Sequence, residues 1–379
     1  MNIIIVNCFD TYEYRVDLLL ELFLKNNYNT YVLTSDYCHI EKKKRTEAKK
    51  KYKYLKTLEY KKNLSYDRLY SHYNFSKEVY NYLKRRIKHI DMLWVLAPPN
   101  SLISETVKLK CLKRDLKIVV DLIDLWPETL PLPIIKKSLV PWRLLRSNNI
   151  KKSDFVVTEC DLYRKTLKRE LQGINNTTLY LARKNNPVDC DYNLSCDKIV
   201  LCYLGSINNL IDIPMIEKII IACRKVKPVE IHIIGDGEKK NDLLEGCSKN
   251  GASIIDHGKV YSREEKFKIF DLCHFGLNIM KKSVCVGLTM KSMDYFEYGL
   301  PIINSIYGDT WEIIEKYKCG INVNNTLDMN HILKLFALNI STEKSLLMRN
   351  ECRNFFVKHL TEKVFEYKVL KILRDINVG

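Results

Sequence analysis

Along the chain, short apolar runs rich in Ile and Val alternate with longer stretches whose apolar positions recur every three or four residues. Ile3–Asn7 predicts a strand, Arg15–Lys25 with Leu18, Leu19, Leu20, Leu22 and Phe23 a helix, and Thr30–Thr34 a second strand. Strands over Met92–Leu96, Lys117–Leu122 and Phe155–Thr158 follow, with helices over Leu102–Leu112 and Leu162–Glu170. The polar stretch 184–198, with Asn185, Asn186, Pro187, Asp189 and Asp191, reads as a linker. Beyond it the pattern starts again. Strands Ile199–Leu204, Val229–Ile234, Ser253–Asp256, Gly276–Met280 and Ile302–Asn304 interleave with helices Met215–Arg224, Lys240–Cys247, Glu264–Cys273, Thr289–Tyr298 and Trp311–Tyr317. The last of these helices closes on Cys319-Gly320 as a glycine cap, and the final 50 or so residues read as helical.

Such alternation implies α/β architecture with parallel sheets covered by helices. It predicts two successive Rossmann-like, doubly wound domains, 1–190 and 191–360, and a C-terminal helix, 361–379, packing back on the first. Open α/β sheets bind ligands outside the carboxyl ends of their strands. Two in tandem therefore predict a two-substrate site in a central cleft.

At 379 residues, 46% of them hydrophobic, each half is long enough to bury its own core. No stretch reaches the roughly 18–20 apolar residues of a membrane span, and Met1–Val6 reads as a strand, so a cytoplasmic location is expected. The 13 cysteines, odd in number and without a C-x-x-C pair, read as reduced thiols, and no metal site is expected.

Charge changes the picture. The net charge is +17, and residues 41–90 carry 17 Lys and Arg against five Asp and Glu, interleaved with tyrosines. Basic residues with amphipathic aromatics suit an anionic membrane surface, on the inner face of the cell membrane, ahead of a merely solvated face. No nucleic-acid motif accompanies them, and nucleic acid is not expected as a partner.

Three segments carry candidate chemistry. Val119–Pro131 runs from a strand into Asp121, Asp124, Trp126, Pro127 and Glu128, placing acidic and aromatic groups at a strand's carboxyl end. There an Asp can orient an acceptor hydroxyl, or Asp121 can cap a turn while Trp126 packs. After Ile199–Leu204 comes Gly205-Ser206-Ile207-Asn208-Asn209, where a glycine lets a ligand approach the backbone. In the third, Gly287 opens a helix whose N–H groups can receive a diphosphate. Lys291 and Asp294, three apart, share a face of it.

Together with Ile233-Ile-Gly-Asp-Gly237, the segments Asp121–Glu128, Tyr203-Leu-Gly-Ser206 and Lys291–Pro301 resemble family 4 of the retaining GT-B glycosyltransferases of bacterial surface-polysaccharide synthesis. The resemblance implies an N-terminal acceptor domain, with Asp121, Asp124, Trp126 and Glu128 on the acceptor side, and a C-terminal donor domain. It implies donor binding by Gly205, Ser206, Asn208, Gly258, Lys259, Val260, Gly287, Leu288, Thr289, Met290, Lys291 and Asp294, with Asp124, Lys291 and Asp294 as the catalytic set. A UDP- or GDP-linked sugar would be the co-substrate, with no cofactor and no metal, and a lipid-linked saccharide the acceptor.

The chain departs from the pattern in three places. The family's paired glutamates become Val286 and Asp294; its Arg/Lys pair after the first donor-domain strand is absent; and its first glycine-rich loop is Asn7-Cys8-Phe9-Asp10-Thr11-Tyr12. A catalytically silent GT-B partner or chaperone subunit, and behind it a nucleotide-sugar epimerase, are the competing classes.

Overall fold

The computed structural model describes residues 1–63, 65–129, 139–186, 194–324 and 342–377. Leu130 and Pro131 of the first motif, and Pro187, Asp189 and Asp191 of the linker, lie outside them. The chain forms two units: Met1–Arg183 together with the chain from Glu362 onward, and Lys184–Thr361.

In the first unit β1 (Asn2–Asn7), β2 (Asn29–Ser35), a two-residue antiparallel pair β3 (Tyr37–Cys38) and β4 (Lys43–Lys44), then β5 (Tyr52–Leu55), β6 (Met92–Ala97), β7 (Lys117–Leu122), β8 (Phe155–Thr158) and β9 (Asn176–Thr178) appear in turn. Seven of them make one parallel sheet, ordered β5-β2-β1-β6-β7-β8-β9. Its central strands are apolar almost throughout because helices cover both faces; every residue of β6 is buried. Helix Glu13–Lys25 packs Val16, Leu19 and Phe23 on one face, where helix Glu362–Asp375 adds Phe365, Val369, Ile372 and Leu373. Phe75, Val79 and Leu83 of helix Tyr66–Lys84 cover the other face.

The second unit holds β10 (Ile199–Leu204), β11 (Val229–Ile234), β12 (Ser253–Gly258), β13 (Phe275–Asn278), β14 (Ile302–Asn304) and β15 (Gly320–Asn322). All pair in parallel, in the order β12-β11-β10-β13-β14-β15. In both sheets the strand order reverses beside the first strand, between β1 and β6 and between β10 and β13. Such reversals open a crevice at the carboxyl edge, the place where ligands bind in this architecture.

Two local expectations are corrected. Helix Asp309–Tyr317 ends on Lys318, which takes the left-handed conformation (φ 56°), while Gly320 begins β15. The third motif's helix starts at Met290, after Thr289, and not at Gly287.

Candidate functional site

In the second unit the candidate donor residues gather at the reversal between β10 and β13. Thr289 caps helix Met290–Tyr298 by accepting from the Ser292 N–H (3.2 Å), and Gly299 closes it in the left-handed conformation (φ 90°). Tyr295, wholly buried, lies against Gly276, where a Cβ would come within 2.7 Å of its ring, and its hydroxyl donates to the Cys202 carbonyl. The helix is thereby pinned to the sheet, with its electropositive end at the carboxyl edge. Gly287 lies ahead of the helix, its carbonyl accepting from the N–H and hydroxyl of Thr310 (2.9 and 2.7 Å).

An asparagine ladder fixes that end further. Asn278, Asn304 and Asn322 are register partners at the tips of β13, β14 and β15. Asn278 donates to Asn304 and Asn304 to Asn322, each at 2.9 Å, while the Thr289 hydroxyl donates to Asn278 Oδ1 at 3.1 Å. These residues belong to none of the three motifs. Their signal is there: an Asn closes the predicted run Ile302–Asn304, and another interrupts the predicted run Gly276–Met280.

Lys291 projects from the first turn. Its ammonium stands 4.3 Å from the Tyr203 ring centroid and its Cε packs over Gly205, so the structure brings Gly205 and Lys291 together. No carboxylate pairs with it among the described residues, and burial pushes its pKa down to about 8. Asp294, one turn on and 7% exposed, accepts from Lys266 Nζ at 3.4 Å. Gly205 (φ +119°) and Gly235 lie back to back: a Cβ on Gly235 would meet the Gly205 carbonyl at 2.0 Å, and one on Gly237 the Ile207 carbonyl at 2.3 Å. The Gly-Asp-Gly motif thus serves loop-to-loop packing. Ser206 is exposed, and Asn208 uses its side chain on the Leu210 N–H (2.9 Å). Gly258 follows on β12, its carbonyl accepting from Gly235 (2.7 Å); Lys259 is exposed, 3.4 Å from Asp236, and Val260 and Leu288 are partly exposed.

In the first unit the Asp121–Glu128 segment divides in two. Asp121, with no exposed surface, takes both oxygens to Arg15, at 2.8 and 2.9 Å, and also accepts from Trp94 Nε1 at 2.9 Å. Glu128 makes a two-pronged pair with Arg146 (2.8 Å each), which holds its carboxyl below the usual range despite burial, and a further pair with Arg143. The Trp126 carbonyl accepts from Asn100 and Arg146, and its ring meets Trp142 edge-on. Asp121 and Glu128 are therefore engaged as ties within the first unit. Asp124 differs: Thr129 donates to it at 2.6 Å, no cation pairs with it within salt-bridge distance among the described residues, and burial raises its carboxyl above the ordinary value. Asp124, Tyr12, Glu159 and Arg68 share a neighbourhood at the carboxyl ends of β1, β7 and β8.

No family model matches the chain, and no curated protein matches it in sequence. Its fold is similar to solved structures. The sucrose-phosphate synthase of Thermosynechococcus elongatus superposes with a TM-score of 0.69 at 9% identity, over 100% of this chain and 99% of that one. The lipopolysaccharide outer core galactosyltransferase WaaB gives 0.68 at 14% identity, over 99% of each chain. Anabaena HepE, solved with UDP and glucose, gives 0.63 at 9% identity, again over 99% of each. At such identities the likeness is one of architecture: the chain has the GT-B fold of glycosyltransferases, two Rossmann-like units in tandem.

Proposed function

We propose that the protein is a retaining glycosyltransferase that moves a sugar from a UDP- or GDP-linked donor to a lipid-linked saccharide in cell-surface polysaccharide synthesis. The observation that carries this is Lys291. An ammonium with no carboxylate partner among the described residues stands over Gly205, beside a capped helix N-terminus, at the carboxyl edge of a reversed sheet. Those groups suit a diphosphate, and stabilising the departing diphosphate is the main electrostatic task in such a transfer. Asp294, in the next turn, suits a ribose hydroxyl. HepE, bound to UDP and glucose in its own structure, lends support by its fold.

In the proposed reaction the acceptor hydroxyl oxygen bonds to the anomeric carbon on the face from which the nucleotide departs. The bond from that carbon to the phosphate oxygen breaks, and a phosphate oxygen takes the hydroxyl proton. No side-chain base is needed, so Asp124 is assigned to orienting the acceptor. Peripheral attachment to an anionic membrane would come from the segment 41–90. Within it Tyr66, Tyr70 and Tyr73 are exposed at helical spacing on one face of helix Tyr66–Lys84. Among the described residues no helix is long and apolar enough to cross a membrane.

Donor turnover by the purified chain with a panel of UDP and GDP sugars tests the proposal. Absence of hydrolysis, transfer and binding with every donor would sink it. Val286, standing where the family has an acid, favours one competing reading, a silent partner subunit. In that case Lys291→Ala and Asp294→Ala would leave cellular polysaccharide unchanged.

A further inference from the structure

A second cluster lies at the carboxyl ends of β1 and β2, apart from the exposed tyrosine face. Phe9, just after β1, is its centre. The rings of His72 and His39 meet Phe9 edge-on, with centroids at 4.9 and 5.1 Å, and the Arg68 guanidinium lies 5.7 Å from the Phe9 centroid. Tyr60 stands 5.8 Å from each imidazole, its hydroxyl sharing a 2.5 Å hydrogen bond with His39 Nδ1.

Arg68 and His72 come from the inner face of helix Tyr66–Lys84, opposite Tyr66, Tyr70 and Tyr73. His72 is only 8% exposed, yet its Nε2 has no hydrogen-bond partner among the described residues, and neither has Arg68 Nε. Buried polar atoms seldom stay unpartnered. Lys42 adds a second cation, 3.4 Å from His39 Nδ1 and 4.9 Å from the Tyr60 centroid. The Asp10 carboxylate is already engaged by Cys38 Sγ and the N–H groups of His39 and Ile40. Burial, with Arg68 and Lys42 close by, keeps both imidazoles neutral, His39 pushed down to about 4. Arg68 Nη1 donates to the Asn63 carbonyl (2.7 Å) and Lys42 Nζ to the Asn63 side-chain oxygen, so no carboxylate pairs with either cation among the described residues, and the charge of Arg68 reaches Asp124.

We infer that this cluster is a subsite for a phosphoryl group carried by the acceptor, bound by Arg68, Lys42 and the Nε2–H of His72. Naming the ligand as an acceptor rests on the glycosyltransferase reading; binding of the phosphoryl group does not. The group could be the diphosphate of a lipid carrier or the phosphate of a soluble sugar, and the chemistry recognised is the same.

The test follows the imidazole resonances of His72 and His39 in the full chain by 1H–15N NMR at neutral pH. Three titrants are used: inorganic pyrophosphate, glucose 6-phosphate, and vesicles containing a polyprenyl phosphate. The expected result is a saturable shift at His72 with at least one titrant, weakened about tenfold or more in Arg68→Gln and partly kept in Arg68→Lys, since a hydrogen bond to a charged group is lost. A stronger response to vesicles assigns the lipid carrier, and a response to the soluble phosphates alone assigns a soluble one. Silence with all three titrants, or an unchanged response in Arg68→Gln, overturns the inference. Unaltered resonances of the other histidines verify that the variant is folded; should it fail to fold, His72→Gln is titrated by calorimetry to the same criterion. If phosphate binds while no nucleotide sugar is turned over, the subsite stands and the transferase reading falls.

Discussion

Replacing Asp121 by Ala tests whether the carboxylates at the end of β7 divide into a structural tie and an unpaired group. Arg15 and Asp121 are 2% and 0% exposed, and the carboxylate accepts from Arg15 Nε, Arg15 Nη2 and Trp94 Nε1. Each hydrogen bond to a charged group contributes about 1.5–3 kcal/mol. Deleting one partner of a buried pair, which strands the other charge, costs about 3–5 kcal/mol. Asp121→Ala is therefore expected to destabilise the first unit by about 3–5 kcal/mol, a fall of roughly 6–20 °C in Tm for a unit of this size. Urea unfolding followed by far-UV circular dichroism and tryptophan fluorescence measures it. Arg15→Leu combined with Asp121→Leu strands no charge and should recover part of the loss. Asp124→Asn should behave oppositely. Burial raises the Asp124 carboxyl above its ordinary 3.8, so ionising it costs stability as pH rises past that value. Asn removes it, so stability at pH 7 should hold or rise slightly while transfer falls. A loss under about 1 kcal/mol in Asp121→Ala, or equal damage from Asp124→Asn, would refute this division of roles.

Lys291, pushed down to about 8 by burial, should lose its proton as pH rises from 7 to 9. UDP affinity measured by calorimetry should fall over that range, and Lys291→Arg should remove the dependence; a flat wild-type profile contradicts a phosphate contact. Asn304→Ala deletes the middle of the asparagine ladder, leaving Asn278 and Asn322 short of partners. A cost of about 1–3 kcal/mol is expected, with faster hydrogen exchange at Ser292, whose N–H depends on the Thr289 cap. For the membrane surface, Lys43, Lys44, Arg45 and Lys49 are already paired with Glu41, Asp36, Glu13 and Asp17. Lys61 and Lys62 are exposed and outside those pairs. At about 1 kcal/mol per cation, Lys61→Gln with Lys62→Gln should weaken binding to anionic vesicles about 25-fold, far more than the same change at Lys43 and Lys44. Equal effects would mean that only net charge matters.

The fold was legible where burial on both faces of a sheet forces a continuous apolar run. Lys117–Leu122, Phe155–Thr158, Ile199–Leu204, Val229–Ile234 and Ile302–Asn304 can be read from sequence to the residue. The edge strands Tyr52–Leu55 and Asn176–Thr178 escaped notice because one-sided pairing demands no such run, and the first lies among lysines. Chemistry at strand ends was harder. Asp121 and Asp124 look alike in sequence; what distinguishes them is Arg15, 106 positions away from Asp121. The Phe9 cluster likewise draws on segments separated by loops, and its histidines belong to no motif. Gly320 seemed the natural cap after Tyr317, but Lys318 accepts the left-handed turn and leaves the glycine to β15, where a Cβ would strike the Ile302 carbonyl at 2.2 Å.

Helix Glu362–Asp375 has a consequence for the order in which the protein can mature. Phe365, Val369, Ile372 and Leu373 pack with helix Glu13–Lys25 on a face built by Ile3, Ile5 and Trp94, so one layer of the first unit stays incompletely covered until this helix leaves the ribosome. All of Lys184–Thr361 is made in the interval, about 10–35 s at roughly 5–20 residues per second. The second unit, contiguous in sequence, is free to fold first. The first waits with that layer incompletely covered, and for that interval the nascent chain is a natural client for a chaperone.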